Sequence, residues 1–557
     1  MKHVRLLLPA VALSTAAFGQ TFTNASANLP GTFRSGNCVG FTDMDNDGRD
    51  DIVVLDQSKT VRVLYQGADG AFTAVNYGTV SNSNQWGMVI ADYDNDGHKD
   101  VFSGGSYDGV HVKHIDGVGV ASDVQLTNGQ MFMQACNFAD IDNDGQLDAF
   151  GCHDDGLSRM WRGNGTALTP APELIDLTDY ALQNYPGNDH SGNYGTVWSD
   201  FDNDGDLDLM IAKCRQFVND PFDPRRQNQL WVNDGTNFYT EEADARGLVL
   251  NEQSWTADFA DVDNDGDWDC FITTHSATMK LMINDGTGHF TDGTAGSGLG
   301  VSGFCLQAKL ADFDNDGFVD VVLGGGIHRY FHNNGNGTFT EMSMFPATDT
   351  MHSFAFGDVN RDGFMDVYAS YGNGYNSPDN ANADRLWLND GNANHWIAFD
   401  LQGIVSNKDA VGAKVTITGP FGTQIREVRA GESYGITNTF HCMFGIGTAT
   451  EIDQVTIEWP AGLTTVIDNP AIDQYHSLLE AECTVEVAIE ASATEVCPGT
   501  VATLTVPGTF ESILWSNGST DAVLEVGTAG IYSATVFTAE GCAGVTAPVE
   551  VVVVEPG

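Results

Sequence analysis

Four aspartates in one nine-residue stretch, Asp43, Asp45, Asp47 and Asp51, place side-chain oxygens at positions 1, 3, 5 and 9 around Gly48. Oxygen donors at that spacing suit a hard cation, calcium first, because the glycine at position 6 allows a turn sharp enough to point them inward. An EF-hand would close with a glutamate six residues after the glycine, where Val54 stands. Here the position 9 aspartate closes a shorter loop. Asn, Asp and Gly also make ordinary turns, but a turn has no need of the same four carboxylates in copy after copy. The set recurs as Asp92, Asp94, Asp96 and Asp100; as Asp140, Asp142, Asp144 and Asp148; and as Asp200, Asp202, Asp204 and Asp208. It recurs again as Asp261, Asp263, Asp265 and Asp269; as Asp312, Asp314, Asp316 and Asp320; and, with one amide, as Asp358, Asn360, Asp362 and Asp366. Up to seven structural calcium ions are the expectation.

The loops begin 46 to 61 residues apart, a period that signals a propeller or a solenoid. Each loop is preceded by a strand-like run, such as 86–91 or 257–260, and followed by another, such as 52–55 or 209–212. A third run ends in Asn-Asp-Gly, as at 230–235 and 281–286, and a fourth starts with Phe-Thr, at Phe72, Phe290 and Phe339. Four short strands per period describe a blade, so the expected fold is all-β and opens with a seven-bladed propeller. The last period lacks its own Phe-Thr strand. Thr21-Phe22-Thr23 near the start of the chain supplies one, and its insertion would close the ring and remove an open edge.

From about residue 21 to 391 the chain resembles the FG-GAP, or VCBS, repeats of integrin alpha-subunit propellers and of secreted bacterial proteins. The resemblance implies calcium in the loop between the first two strands of each blade and ligands on the opposite face. The loops of that opposite face hold Lys213, Arg225, Arg226 and His275, and the position six residues before each calcium loop holds Trp86 and Trp255. Rings and cations around a funnel suit a sugar or a peptide. Packing the neck between blades is the ordinary alternative for the aromatics. Irregular insertions at 184–197 and 214–229 mark the same face, since extra length in regular repeats sits on the binding side.

Beyond residue 391 the aspartate loops stop. Ser406-Asn-Lys-Asp-Ala-Val-Gly-Ala, Phe444-Gly-Ile-Gly and Val455-Thr-Ile-Glu-Trp-Pro are similar to the ASPIC/UnbV domain that follows such propellers in cartilage acidic protein and its bacterial relatives, a family with no assigned chemistry. Trp459 reads as core, and Arg426, Arg429, Glu432 and His441 as a solvated polar cluster. The remaining segment alternates strictly at 502–506, 522–526 and 532–536, which gives a small β-sandwich resembling Ig-like and PKD-like modules. Cys497 and Cys542 are its candidate bridge, with Trp515 between them. The expected order is a signal peptide at 1–19, the propeller at 20–391, the ASPIC/UnbV domain at 392–482 and the sandwich at 483–557.

The 76 acidic against 24 basic residues, a net charge of -52, argue against nucleic acid and anionic membranes as partners. Lys2 and Arg5, the apolar run 6–17 and the small residues up to Gly19 read as a secretory signal cleaved before Gln20, too short to span a bilayer. A secreted or cell-surface location and no transmembrane segment follow. Ten cysteines fit that compartment, but those in the repeats lack metal-site spacing and read as buried thiols. The sequence carries no H-E-x-x-H, G-x-S-x-G or P-loop motif, so no catalytic residue is assigned. The expected function is an extracellular binding or adhesion module for a glycan or protein. The alternative is a calcium-dependent polysaccharide lyase that uses the face opposite the loops, with Lys213, Arg225 and His275 suited to an acidic substrate.

Overall fold

The aspartate at position 9 of each loop is also the first residue of a strand, and the residue before position 1 is the last of the preceding one. In one repeat Ser254–Ala260 ends just before Asp261 and Asp269–Thr274 begins at position 9, with Ala260 opposite Asp269. Lys280–Asn284 and Phe290–Asp292 complete an antiparallel sheet in sequence order. The same order recurs in the sheets that start at Val39–Thr42, Gln85–Ala91, Met133–Ala139, Asn193–Ser199 and Cys305–Ala311. The sheet of Ser353–Gly357, Asp366–Ser370 and Arg385–Asn389 takes its fourth strand from the far end of the chain. There Phe22–Asn24 pairs with Arg385–Asn389, with Phe22 opposite Asn389.

Burial falls steadily across each sheet, which explains why the first two strands carry no alternating pattern. Ser254–Ala260 and Asp269–Thr274 are buried along their whole length, Lys280–Asn284 in part, and in Phe290–Asp292 only Phe290 is buried. A sheet packed on both faces reads as a continuous apolar run near its centre. The first strands of neighbouring sheets lie side by side, and that of Ser353–Gly357 lies against Val39–Thr42, so the array returns on itself as a β-propeller.

The computed structural model describes residues 20–178, 189–345, 351–481, 487–510, 512–517, 519–537 and 543–554. The signal assigned to 1–19, part of the 184–197 insertion, and Cys542 of the suggested bridge lie outside the described residues. The propeller cysteines Cys38, Cys136, Cys152, Cys214, Cys270 and Cys305 are buried free thiols. No described helix is long and apolar enough to cross a membrane.

After the propeller, His395–Gln402 lies between Cys442–Gly447 and Tyr475–Leu479, and a second sheet runs Gly422–Glu427, Lys414–Gly419, Gln454–Glu458, Thr464–Asp468. Val415, Ile417, Phe444, Ile457 and Trp459 fill the core between them. The Trp459 indole donates to Thr465 Oγ1 at 2.9 Å, so its one polar atom is satisfied there. Three short three-stranded sheets form the last module, around a separate core that includes Leu504, Trp515, Val536 and Val551.

Candidate metal centre

Each loop is held by hydrogen bonds that the sequence pattern alone explains. The glycine N–H at position 6 donates to the position 1 carboxylate at 2.7–3.2 Å in all seven copies, from Gly48 to Asp43 through Gly363 to Asp358. Position 4 adopts the left-handed conformation in each copy, with φ from 54° to 62°, and is asparagine everywhere except Arg361. Asparagine tolerates that region better than other non-glycine residues. The position 9 aspartate fastens the loop to the third strand. Its Oδ1 accepts a backbone N–H there at 2.7–2.9 Å: Gln66 on Asp51, Ile115 on Asp100, Gly163 on Asp148, Asn233 on Asp208, Asn284 on Asp269, Asn333 on Asp320 and Asn389 on Asp366.

These bonds leave oxygens over. Asp45, Asp94, Asp142 and Asp202, all at position 3, each have a buried Oδ1 with no hydrogen-bond partner among the described residues, as do Asp312 Oδ1, Asp100 Oδ2 and Asp208 Oδ2. Buried polar atoms are normally paired, so a recurrent unpaired acceptor at one loop position suits coordination of a cation. In the bare chain, burial pushes Asp51 up to about 9, Asp148 and Asp269 up to about 8, and Asp100 up to about 7, with neighbouring loop carboxylates adding to the rise. Asp208 and Asp366 go well above the usual carboxylate range for the same reason. The donor set therefore fits a divalent metal ion, which positions 1, 3, 5 and 9 would hold and which would neutralise their crowded charge. Ligand atoms of Asp43, Asp45 and Asp51, and of Asp92, Asp94 and Asp96, already lie within 4.8 Å of one another.

Two of the loops contain a ligand type that the repeat motif does not announce. His114 Nδ1 lies 3.4 Å from Asp94 and 3.1 Å from Asp100, and His332 Nδ1 lies 3.4 Å from Asp314 and 3.3 Å from Asp320. In two others an arginine reaches position 3: Arg162 contacts Asp142, and Arg246 stands 3.3 Å from Asp202. His114, Arg162 and His332 each directly precede the residue whose amide binds position 9, where other repeats have Tyr65, Val232, Ile283 and Leu388. Aligning third strands on that amide would have found them.

The C-terminal domain sits on this loop face. Asp409 accepts the Asp92 N–H at 2.7 Å and pairs with Lys99 at 2.9 Å. Glu427 accepts the Asp200 N–H at 3.0 Å, and the Tyr475 hydroxyl donates to Asp358 at 2.7 Å. Residues 430–439 then run into the centre of the ring. Phe138 donates to the Ala430 carbonyl at 3.0 Å, Ile436 and Thr437 pair in parallel with Val39 and Gly40, and Asn438 accepts the Phe356 N–H at 3.0 Å. The polar cluster expected at a solvated surface is therefore buried. His441 is 7 % exposed, Glu432 pairs with Lys309 at 3.0 Å, and Arg429 bonds Glu427 at 2.6 Å and the Phe259 carbonyl at 2.8 Å. Its charges answer the charges of the inner strands, a partnership invisible in either segment alone.

Tyr434, at the tip of the inserted segment, reaches the mouth opposite the loops. Its hydroxyl donates to Gln134 at 3.2 Å and its ring meets Trp86 and Trp255 edge-on at 6.1 and 5.9 Å. Trp86 and Trp255 occupy bulges in their strands, between Gln85 and Gly87 and between Ser254 and Ala257. A bulge re-aims a side chain, here onto the axis. Trp255 is 1 % exposed and packs the neck, with His275 stacked on it at 5.5 Å, whereas Trp86 is half-buried.

The cations expected beside them are placed differently. Lys213 does not reach the surface: it is fully buried, donates to Asn193 Oδ1 at 2.6 Å and to the Ser191 carbonyl at 3.1 Å, and is pulled down to about 8 by burial. Arg225 is committed to Asp189 and Asp223, both at 2.7 Å, and Arg226 lies partly buried with its guanidinium 3.4 Å from the Asn251 carbonyl. The structure thus gathers Trp86, Trp255 and His275, and it commits Lys213 and Arg225 to partners elsewhere, while Arg226 keeps a buried Nε with no hydrogen-bond partner among the described residues.

Solved structures similar to the chain include BBS1N in complex with ARL6DN (9% identity, 66% of this chain and 96% of that one, TM-score 0.38). Others are the BP39L lectin from Burkholderia pseudomallei (11% identity, 61% and 94%, TM-score 0.41) and YCF48 from Cyanidioschyzon merolae (14% identity, 65% and 96%, TM-score 0.39). Likenesses this distant bear on neither ligand nor activity. No curated protein matches the chain. The ASPIC and UnbV family model matches residues 403–485, and the FG-GAP-like repeat model matches 43–103, 92–151, 200–272, 261–323 and 324–369, together half of the chain. With its aspartate loops at the hairpins of successive propeller sheets, the chain belongs to the FG-GAP-like repeat family and carries an ASPIC and UnbV domain after its repeats.

Proposed function

We propose that this is a secreted or cell-surface binding or adhesion protein, built on a seven-bladed propeller over residues 20–391 that up to seven calcium ions stabilise. The ASPIC/UnbV domain, residues 392–482, acts as a fixed cover on the calcium face, and an Ig-like module over 483–557 serves as a spacer or second contact. A glycan or protein ligand binds at the mouth opposite the loops. The observation that carries this reading is the division of the two faces. The loop face is occupied by the chain's own C-terminal domain, while the mouth exposes large aromatics, Phe217 at 96 %, Phe222 at 71 % and Tyr107 at 50 %. Exposed aromatic surface on long loops is a feature of interaction sites.

A glycan-array screen of residues 20–557, run in calcium and in EDTA with unsaturated sugar followed by absorbance, tests it. Calcium-dependent capture without product supports adhesion. Calcium-dependent release of unsaturated product would replace it with the lyase reading.

A further inference from the structure

Beside the plugged axis, the mouth keeps a basin of about 340 Å³ lined from the second to the fifth sheets. Tyr434 blocks the axis from below. Tyr375 closes it from above, its ring 5.7 Å from Trp86 and 5.8 Å from Trp255. The loop that carries Tyr375 is tied across to the first two sheets, where the Asn376 carbonyl accepts from Ser58 at 2.6 Å and from Asn84 at 3.2 Å. What remains open is walled by Trp86, Asp154, Asp155, Arg215, Gln216 and Phe217.

Three features of that basin point to a ligand. Asp154 is 6 % exposed, yet its Oδ1 has no hydrogen-bond partner among the described residues, and Arg215 Nη1 stands 3.8 Å away. The indole N–H of Trp255, which also lines the basin, is likewise buried and unpartnered. An unused acceptor and an unused donor in one basin match a group that both donates and accepts, which a hydroxyl does and an ammonium or a carboxylate does not. Phe217 is the second feature. It is 96 % exposed, a large apolar ring presented to solvent at the rim of the basin. The third is charge. Asp155 is shared between Arg215 at 3.2 Å and the Tyr107 hydroxyl at 2.9 Å, so the basin holds two carboxylates against one guanidinium that is already engaged. An anionic ligand would meet net repulsion, and a cationic one would meet Arg215.

Resting on the proposed binding role of this mouth, we infer that the basin takes a neutral, hydroxyl-rich sugar ring, stacked on Phe217 and hydrogen-bonded through Asp154, Arg215 and the Trp255 indole. Aromatic stacking supplies the contact area and the buried polar atoms supply orientation. This narrows the glycan to a class opposite to the acidic one that Lys213, Arg225 and His275 suggest in the sequence.

The test is affinity electrophoresis of residues 20–557 in calcium through gels containing dextran, mannan or laminarin as neutral probes, alginate or polygalacturonate as acidic probes, and chitosan as a cationic one. Retardation by at least one neutral polysaccharide is expected, weakened tenfold or more by Phe217→Ala and by Asp154→Asn. Phe238→Ala removes an exposed aromatic, 62 % exposed, from the outer turn of the fourth sheet, which does not line the basin, and it should migrate like the parent. Unchanged melting temperatures would show that all three variants fold. Retardation only by acidic or cationic probes, or retardation indifferent to Phe217→Ala, would overturn the inference and leave the binding role standing. No retardation by any of the six would overturn the inference while leaving a protein ligand to be sought, and depolymerisation in the gel would overturn the adhesion reading on which the inference rests.

Discussion

At the loop face every repeat builds the same object: a glycine amide on position 1, a left-handed position 4, and a third-strand amide on position 9, with distances that vary by a few tenths of an ångström. At the mouth no two sheets contribute alike. Trp86 and Trp255 point inward from bulges, Lys213 is buried, and Phe217 stands bare on a long loop. On the proposed reading, the difference teaches that repetition in this chain serves stability and that departure from repetition serves recognition. A loop copied seven times can hold the same cation seven times, but a surface that selects one ligand needs residues that occur once.

The broadest way to break that comparison is to remove the metal. In EDTA the melting temperature should fall by roughly 10 °C or more by calorimetry, since each site occupied at a hundred times its dissociation constant adds about 2.7 kcal/mol to the folded state. An unchanged melting curve would mean that the loops are turns and nothing more.

The pH dependence sharpens the same point. Asp51, Asp100, Asp148 and Asp269 have folded-state values raised to between about 7 and 9. In the metal-free chain their contribution is fully present below the unfolded carboxylate range and is lost as pH rises through those values. The melting-temperature difference between calcium and EDTA should therefore widen from pH 5 to pH 8. A difference that is flat over this range would dissociate the buried carboxylates from metal binding.

Single substitutions then separate the two faces. Asp263→Ala should remove one bound calcium from the stoichiometry measured by atomic emission and cost about 1–3 kcal/mol of stability, while ligand capture at the mouth stays unchanged. The reverse ordering would make the loop face the functional one. Tyr475→Phe deletes the hydroxyl that the C-terminal domain donates to Asp358 and should cost about 1–2 kcal/mol, with calcium titration altered at that loop alone. The smallest effect belongs to the mouth. Phe217→Gly takes away an exposed ring and sets glycine at a φ of 64°, so stability should stay within about 1 kcal/mol of the parent even though capture is lost. A large loss of stability would show that Phe217 is a structural residue.

The loop face was legible in the sequence because its chemistry is local. Four aspartates and a glycine within nine residues define the turn, and position 9 starting a strand gives the hairpin. The strand at Phe22 was legible too, since a repeat that lacks its last strand asks for one elsewhere. The plug was not. Arg429 and Glu432 read as surface because the partners that draw them into the ring, Asp258 and Lys309, lie in strands far along the chain; the rings that meet Tyr434, Trp86 and Trp255, are as distant in sequence. Lys213 was misplaced for the same reason: a lysine after a strand reads as solvated until Asn193 and Ser191 are seen to enclose it.

The pairing of Phe22–Asn24 with Arg385–Asn389 also governs when the protein can exist. The ring has no final blade until Asn389 has been made, so the first strand waits through the synthesis of the entire array, and closing so long a loop makes this pairing a late step of folding. Until then Arg385–Asn389 presents an unpaired edge, open to the corresponding segment of another nascent chain. Crowded refolding should therefore yield strand-exchanged oligomers in which one molecule's Phe22 segment completes the last blade of another.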